Sequence, residues 1–204
     1  IEFEAGHQYD TYRSLRLLLP LFILLFSLGA CLASRLLFRR ISNPFYRDMS
    51  NTDYLTQLKN RNAYQLDIGN RIAGKAQEGT GFILLDLNGL KHVNDTLGHD
   101  AGDVYITCVS KAYLNMRTRE AVMYRIGGDE FVVVMPDADR DKIQDFMRRF
   151  GDMFNREASM PEFTFSWGYS IYDPKADADL YSTCRRADKN MYMRKQQYYK
   201  NKNT

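Results

Sequence analysis

The chain has 204 residues, 45% of them apolar, which suits one globular domain of about 150 residues with an appendage. A formal net charge of +3, carried by scattered basic residues, excludes a nucleic-acid polymer as the natural partner. Three widely spaced cysteines, Cys31, Cys108 and Cys184, without a Cys-x-x-Cys or a His pairing, exclude a zinc site or disulfide framework and read as small buried hydrophobes in a reducing compartment.

The appendage comes first. From Leu15 to Phe38 the sequence is nearly all apolar, interrupted by Arg16 near one end and Ser34-Arg35 near the other. A helix of that length reaches about 36 Å, enough to cross a hydrocarbon core of roughly 30 Å with the end arginines snorkelling outward. A secretory signal is the competing reading, but the stretch exceeds the usual h-region and no small-residue cleavage site follows. Arg35, Arg39 and Arg40 crowd its C-terminal end, whereas Glu2, Glu4 and Asp10 accompany the few basic residues ahead of it, so the positive-inside rule places everything after Phe38 in the cytoplasm. Gly29 and Ala33 form a small-x-x-x-small pair that suits close helix packing. Because the chain opens on Ile1 rather than Met, a further segment, of a kind fit for sensing, is expected ahead of it.

Ser42-Asn43-Pro44 reads as the start of a short connecting helix that ends near Asn51-Thr52-Asp53. Tyr54 to Asn62 carries turn residues, and a second helix is expected from Ala63 to Gln77, closed by Gly79 and Gly81. Phe82 to Leu87 is an apolar run broken only at Asp86, as in a buried strand. Asn88 to Asp100, rich in Gly, Asn and Asp, reads as a loop, followed by a helix from Ala101 to Met116. Val122–Arg125 and Phe131–Met135 form a hairpin, and a helix from Ala138 to Asn155 follows. In the next segment Phe163, Phe165, Trp167 and Tyr169 alternate with Glu162, Thr164, Ser166 and Gly168, the period of a strand. The last helix, Asp177 to Tyr198, carries Leu180, Cys184, Ala187, Met191 and Lys195 at spacings of three or four. The predicted fold is α+β: a βαββαβ sheet, antiparallel at its centre, with packed helices and one preceding transmembrane helix. The expected boundaries are 1–14 outside the membrane, 15–38 the span, 39–52 a connecting helix or linker, 53–199 the globular domain, and 200–204 a frayed tail.

The chemistry concentrates at Gly127-Gly128-Asp129-Glu130. The glycine pair permits the positive φ of a two-residue hairpin and keeps side chains away from a phosphate, while the acids beside it can hold a divalent cation; an ordinary hairpin with its acids in water is the alternative. The topology makes Asp86 a neighbour of Asp129, and two carboxylates at adjacent strand ends suit Mg²⁺ or Mn²⁺; a strand-end aspartate that caps a loop is the other reading of Asp86. Side chains alternate along a strand, so Asp129 and Glu130 cannot both point squarely into one site. Lys91 offers a point charge to a polyphosphate, or is simply solvated, and the Asn88-Gly89-Leu90 amides suit an anion. Asn94 and Asp103 can bond a base edge, the carboxylate matching the donors of guanine; a turn residue and a helix first-turn acid are the alternatives.

Taken together, these segments resemble one family. Asp53-Tyr54-Leu55-Thr56-Gln57-Leu58-Lys59-Asn60-Arg61 is similar to the opening signature of GGDEF-domain diguanylate cyclases, and Asp86 to Asp103 resembles their metal and guanine segment. Arg125-Ile126-Gly127-Gly128-Asp129-Glu130-Phe131 resembles their naming motif, and Phe165-Ser166-Trp167-Gly168 and Ala187-Asp188-Lys189-Asn190-Met191-Tyr192 their two C-terminal signatures. The match runs from about Asp53 to Lys195. It implies a nucleotide-cyclase or palm-like sheet, GTP as substrate, and condensation of two GTP to cyclic di-GMP with loss of two pyrophosphates in a homodimer. By the same resemblance Asp86, the Leu87 carbonyl and Asp129 hold Mg²⁺ (or Mn²⁺), with two ions in the dimeric active site, and Asp129 also takes the hydroxyl proton. Asn94, His99 and Asp103 hold guanine and ribose, Gly127 and Gly128 make room for the nucleotide, Lys91 and Lys195 attend the phosphates, and Glu130 supports. The implied location is the bacterial inner membrane, single-pass, with the catalytic domain in the cytoplasm.

Four departures from that family pattern stand out. Gln57 stands where glycine is usual, and Asn88 where aspartate is frequent. Tyr199 stands four residues after Lys195, where the family often has arginine, which weakens triphosphate binding unless Lys200 or Lys202 substitutes. An Arg-x-x-Asp inhibitory site is not in register, its ends being Thr118 and Ala121, so tight product inhibition is not expected. The competing readings are a weak or inactive module that binds GTP or only dimerises, and a cyclase making a hybrid product with adenine, which Asp103 disfavours.

Overall fold

The computed structural model describes residues 19–37, 51–75 and 77–202, and divides into a unit spanning residues 1–49 and another spanning 50–204. In the first, helix α1 (Leu19–Leu37) has a mean hydropathy of 1.9 and no buried side chains, so by length and composition it can cross a bilayer. The ends of the expected span, at 15–18 and 38, and the connecting helix up to residue 50 lie outside the described residues.

The second unit is built on five strands: β1 (Lys59–Asn60), β2 (Gly81–Leu87), β3 (Val122–Arg125), β4 (Glu130–Met135) and β5 (Phe165–Ile171). Their order across the sheet is β1-β3-β4-β2-β5, with β1 parallel to β3 and every other pair antiparallel. Helices α2 (Arg61–Ala73) and α6 (Leu180–Lys202) contribute to the core on one face, and α3 (Leu90–Leu97), α4 (His99–Met116) and α5 (Arg140–Glu157) to the core on the other. Strand β2 is buried along its whole length, because Phe82 and Leu84 serve one core while Ile83, Leu85 and Leu87 serve the other. That double burial explains the unbroken apolar run, and it leaves Asp86, 7% exposed, as a carboxylate inside a core strand.

Several elements differ from the sequence expectations. The Asn88–Asp100 segment is not a loop throughout: α3 occupies eight of its residues, entered through Gly89 at φ 73° and left through Gly98 at φ 86°. The Gly and Asn content that reads as coil marks the two ends of this helix. Strand β1 falls within a stretch expected to be turn; two residues are too short to show a period. Helix α2 starts earlier, at Arg61, because the Asn60 side chain accepts the amides of Asn62 (3.0 Å) and Ala63 (3.1 Å). Helix α6 runs through Lys202, and the rest of the expected tail, 203–204, lies outside the described residues. Gln57 adopts φ 58°, the conformation that suits the glycine usual at that position.

Strand β5 is covered on its small-residue face. Ser166, Gly168 and Ser170 are buried against α6, and a Cβ on Gly168 would lie 2.1 Å from the Met191 amide nitrogen. Helix backbone therefore rests directly on strand backbone. Along the same helix Arg186, Asn190 and Arg194 donate to the carbonyls of Ile171 (2.7 Å), Tyr169 (2.9 Å) and Trp167 (3.3 Å). Four helical residues rise about 6 Å and two strand residues about 6.7 Å, so one helix stripe keeps step with the outward carbonyls of the edge strand. This satisfies groups that would otherwise offer a template for strand pairing.

Candidate functional site

Asp86, Asp129, Glu130 and Lys195, four of the residues singled out in the sequence, meet at the end of the sheet where β2 runs out and β4 begins. Asp86 is the register partner of Glu130 on β4 and of Ser166 on β5, and the Leu87 amide donates to the Asp129 carbonyl at 3.2 Å. Asp129 lies in the turn just ahead of β4, one residue before the strand. The apolar stripe of α6 (Leu180, Cys184, Ala187, Met191) continues one turn further into Lys195, whose ammonium bonds the Asp86 carboxylate. A stripe that buries a helix thus also delivers a cation to a buried acid.

Burial raises the Asp86 carboxyl above the usual carboxylate range; Lys195 pulls it back, and repulsion from Asp129 and Asp188 adds to the rise. Glu130 is raised for the same reasons, by burial and then by Asp129, Asp86 and Asp188. Four carboxylates therefore gather about one ammonium. Asp188, on α6, is the member that the sequence reading did not single out; it is four residues on from Cys184, whose place on the helix could have pointed to it.

Hard oxygen donors in surplus negative charge fit a small divalent cation. Asp86, Asp129 and the Leu87 carbonyl are the oxygens at this sheet end that could be offered to a divalent cation. Among the described residues no group of three His, Cys, Asp or Glu side chains is placed to hold a metal ion by itself.

The glycine turn works differently from the expected two-residue hairpin. Neither Gly127 nor Gly128 has a left-handed φ; the amides of Ile126 (3.0 Å) and Gly127 (3.3 Å) both donate to the Glu130 carbonyl, giving a bulged four-residue loop. At Gly127 it is space that is tight. A Cβ on Gly127 would lie 2.7 Å from a Glu130 carboxylate oxygen, while Gly128 opens onto empty space. Arg125 holds the loop from behind, its Nε donating to the Gly127 carbonyl (3.2 Å) and an Nη to that of Gly128 (2.9 Å), while the other Nη bonds both oxygens of Asp53 (3.0 and 3.2 Å). Asp53 and Arg125 appear in separate sequence signatures, and their 72-residue separation hid the ion pair.

The remaining candidates lie on the opposite core's helices. Lys91 and Asn94 are on α3, and His99 and Asp103 on α4; Lys91, His99 and Asp103 are exposed, and Asn94 is half-buried. Asn94 packs so closely on α4 that a Cβ on Gly102 would meet its Oδ1 at 1.8 Å. Asn88 is buried and uses both ends of its amide: it donates to Thr164 Oγ1 (3.1 Å) and accepts from Ser166 Oγ (2.8 Å). An aspartate there would lose the donor. Two concavities flank the acids. One, of about 390 Å³, lies between α2 and α6 with Glu130, Arg61, Arg185 and Asp188 among its lining; the other, of about 540 Å³, is lined by Tyr192, Lys195, Gln196, Tyr199 and Lys200.

Comparison with known proteins gives this geometry a family. The model described as "Diguanylate cyclase, GGDEF domain" matches residues 50–201. The probable diguanylate cyclase DgcJ of Escherichia coli (strain K12) is 31% identical over 164 residues, covering 79% of this chain and 32% of that protein. The cyclic di-GMP phosphodiesterase PdeR of the same organism is 31% identical over 153 residues, covering 74% of this chain and 23% of that protein. The chain thus spans a third or less of the length of these relatives. Among solved structures, the coiled coil and GGDEF domain of DgcB from Caulobacter crescentus, in complex with c-di-GMP, superposes with a TM-score of 0.66 at 26% identity, covering 83% of this chain and 95% of that one.

Proposed function

The chain belongs to the GGDEF-domain diguanylate cyclase family, and from that premise we propose that it condenses two GTP into cyclic di-GMP and two pyrophosphates, working as a membrane-anchored dimer. The observation that carries the proposal is the meeting of Asp86, Asp129 and Glu130 with Lys195 at one end of the sheet.

In this reading Asp86, the Leu87 carbonyl and Asp129 hold Mg²⁺, with two ions across the dimeric site. A metal held by these residues would supply neutralisation of phosphate charge. Asn94, His99 and Asp103 hold guanine and ribose, and the Asp103 carboxylate accepts from guanine's two donors. Lys91 and Lys195 would balance charge on the triphosphate. Gly128 offers an open backbone against the nucleotide. Asp129 accepts the proton of the 3′-hydroxyl as that oxygen attacks the α-phosphorus of the other GTP, and pyrophosphate leaves from the opposite side. Two such displacements form the two phosphodiester bonds. Because one protomer presents one nucleotide, a second must face it, and α1 with the segment after it anchors the pair in the bacterial inner membrane with the catalytic domain in the cytoplasm. Thr118 and Ala121 at the ends of the usual inhibitory motif leave the enzyme without tight product inhibition.

The test is Asp129→Asn. Turnover is lost while the fold survives, because the amide keeps the volume but neither accepts the proton nor carries the charge. Near-normal synthesis by this variant would refute the choice of base. The second reading, a GTP-binding or dimerisation module without turnover, draws on the replacement of arginine by Tyr199; GTP binding without product in an enforced dimer would establish it.

A further inference from the structure

The turn that joins the metal strand to the nucleotide helix is held from the far end of the chain. Asn88 and Gly89 link Asp86 and Leu87 on β2 to Lys91 and Asn94 on α3. Every partner of this turn is accounted for. The Asn88 amide donates to the Thr164 carbonyl (2.9 Å), its carbonyl accepts from the Tyr105 hydroxyl (3.0 Å), and its side chain bonds Thr164 and Ser166. The Gly89 amide donates to the hydroxyl of Tyr199, 110 residues away, at 3.1 Å. The neighbouring Tyr198 hydroxyl accepts from Thr164 Oγ1 (3.3 Å), and the two rings meet edge-on with centroids 5.3 Å apart. Helix α3 has no side-chain cap of its own, and Gly89 enters it at φ 73°.

We propose that Tyr199 is a positioning residue: its hydroxyl oxygen, by accepting the Gly89 amide, fixes the entry to α3 and so sets Lys91 and Asn94 for the nucleotide. The group required at this position is an acceptor, which a guanidinium lacks. The Arg-to-Tyr departure therefore exchanges a phosphate contact for a clamp on the phosphate-facing turn. The hydroxyl proton remains free to point into the adjoining concavity lined by Lys195 and Lys200. This inference rests on the cyclase reading for its kinetic consequence, but the clamp itself exists without substrate.

Two variants of the whole chain in lipid nanodiscs test it. Tyr199→Phe keeps the ring contact and removes the acceptor; Tyr199→Arg supplies charge without one. Hydrogen–deuterium exchange of the peptide spanning Asn88 to Leu97, with no nucleotide present, is expected to quicken about tenfold in both, the effect of one lost hydrogen bond of about 1.4 kcal/mol. With GTP and Mg²⁺, both variants raise KM about tenfold while kcat stays within about threefold. Unchanged exchange in Tyr199→Phe overturns the proposal. So does a wild-type KM in Tyr199→Arg, which would make the position a phosphate contact. If the wild-type chain forms no product, the cyclase reading fails, and the exchange measurement still decides the clamp.

Discussion

Replacing Gly168 by alanine probes the junction on which both fold and site depend. The added Cβ would lie 2.1 Å from the Met191 nitrogen and 2.6 Å from both the Asn190 carbonyl carbon and the Met191 Cα. Ordinary contact begins near 3.4 Å, so α6 must retreat by about 1.3 Å (3.4 minus 2.1), and no side-chain rotation relieves a clash with backbone. Overpacking of a core costs about 1–3 kcal/mol, and a contact with backbone belongs at the upper end, about 3 kcal/mol. Lys195 lies one helical turn beyond Met191, so the same retreat draws its ammonium off Asp86. The sole tryptophan, Trp167, reports the change, since the Arg194 guanidinium stacks 4.2 Å from its ring across the same junction. Urea unfolding followed by Trp167 fluorescence should show a lowered midpoint and altered native emission in Gly168→Ala. A midpoint and emission equal to those of the wild type would refute direct packing of helix backbone on β5.

Other perturbations separate the parts of the site. Arg125→Lys replaces a fork that serves Asp53 and two glycine carbonyls with a point charge; we expect a loss of about 2 kcal/mol and a fall in turnover of at least about tenfold, checked by unfolding and initial rates. Gly102→Ala displaces Asn94 and should raise KM for GTP about tenfold while stability, aided by alanine's helix propensity, changes by less than about 1 kcal/mol. The Arg186 hydrogen bond holds the Asp177 carboxyl below its ordinary value of 3.8, an ion pair whose carboxylate side chain is only 2% exposed. Its folded pKa is depressed, so its stabilisation is complete above the unfolded value and fades as pH falls through the folded one. As pH falls through the ordinary carboxylate range and below it, the wild type should lose stability more steeply than Asp177→Asn, as read from urea midpoints; parallel curves would contradict this.

What the sequence made legible follows from where its signals are local. The run containing Asp86 announced a buried strand because both faces of β2 are covered. The stripe from Leu180 to Lys195 predicted a helix face, and that face leads to Asp86. The family signatures named the candidate residues, of which Asp86, Glu130 and Lys195 meet directly at one end of the sheet. Less was legible where geometry depends on partners distant in the chain. Asp53 and Arg125 brace the glycine loop across 72 residues, and Tyr199 reaches Gly89 across 110. Composition misled at α3, whose glycines bound a helix rather than break one, and at Gly127 and Gly128, neither of which adopts a left-handed turn and of which Gly127 lies close to the Glu130 side chain.

The most direct measurement of the central claim is to supply the chain, in lipid nanodiscs large enough for two copies, with GTP and Mg²⁺ and to identify the products by mass. The account predicts cyclic di-GMP and two equivalents of pyrophosphate, both absent with Asp129→Asn. Bound GTP recovered unchanged from the paired wild-type chain would contradict it.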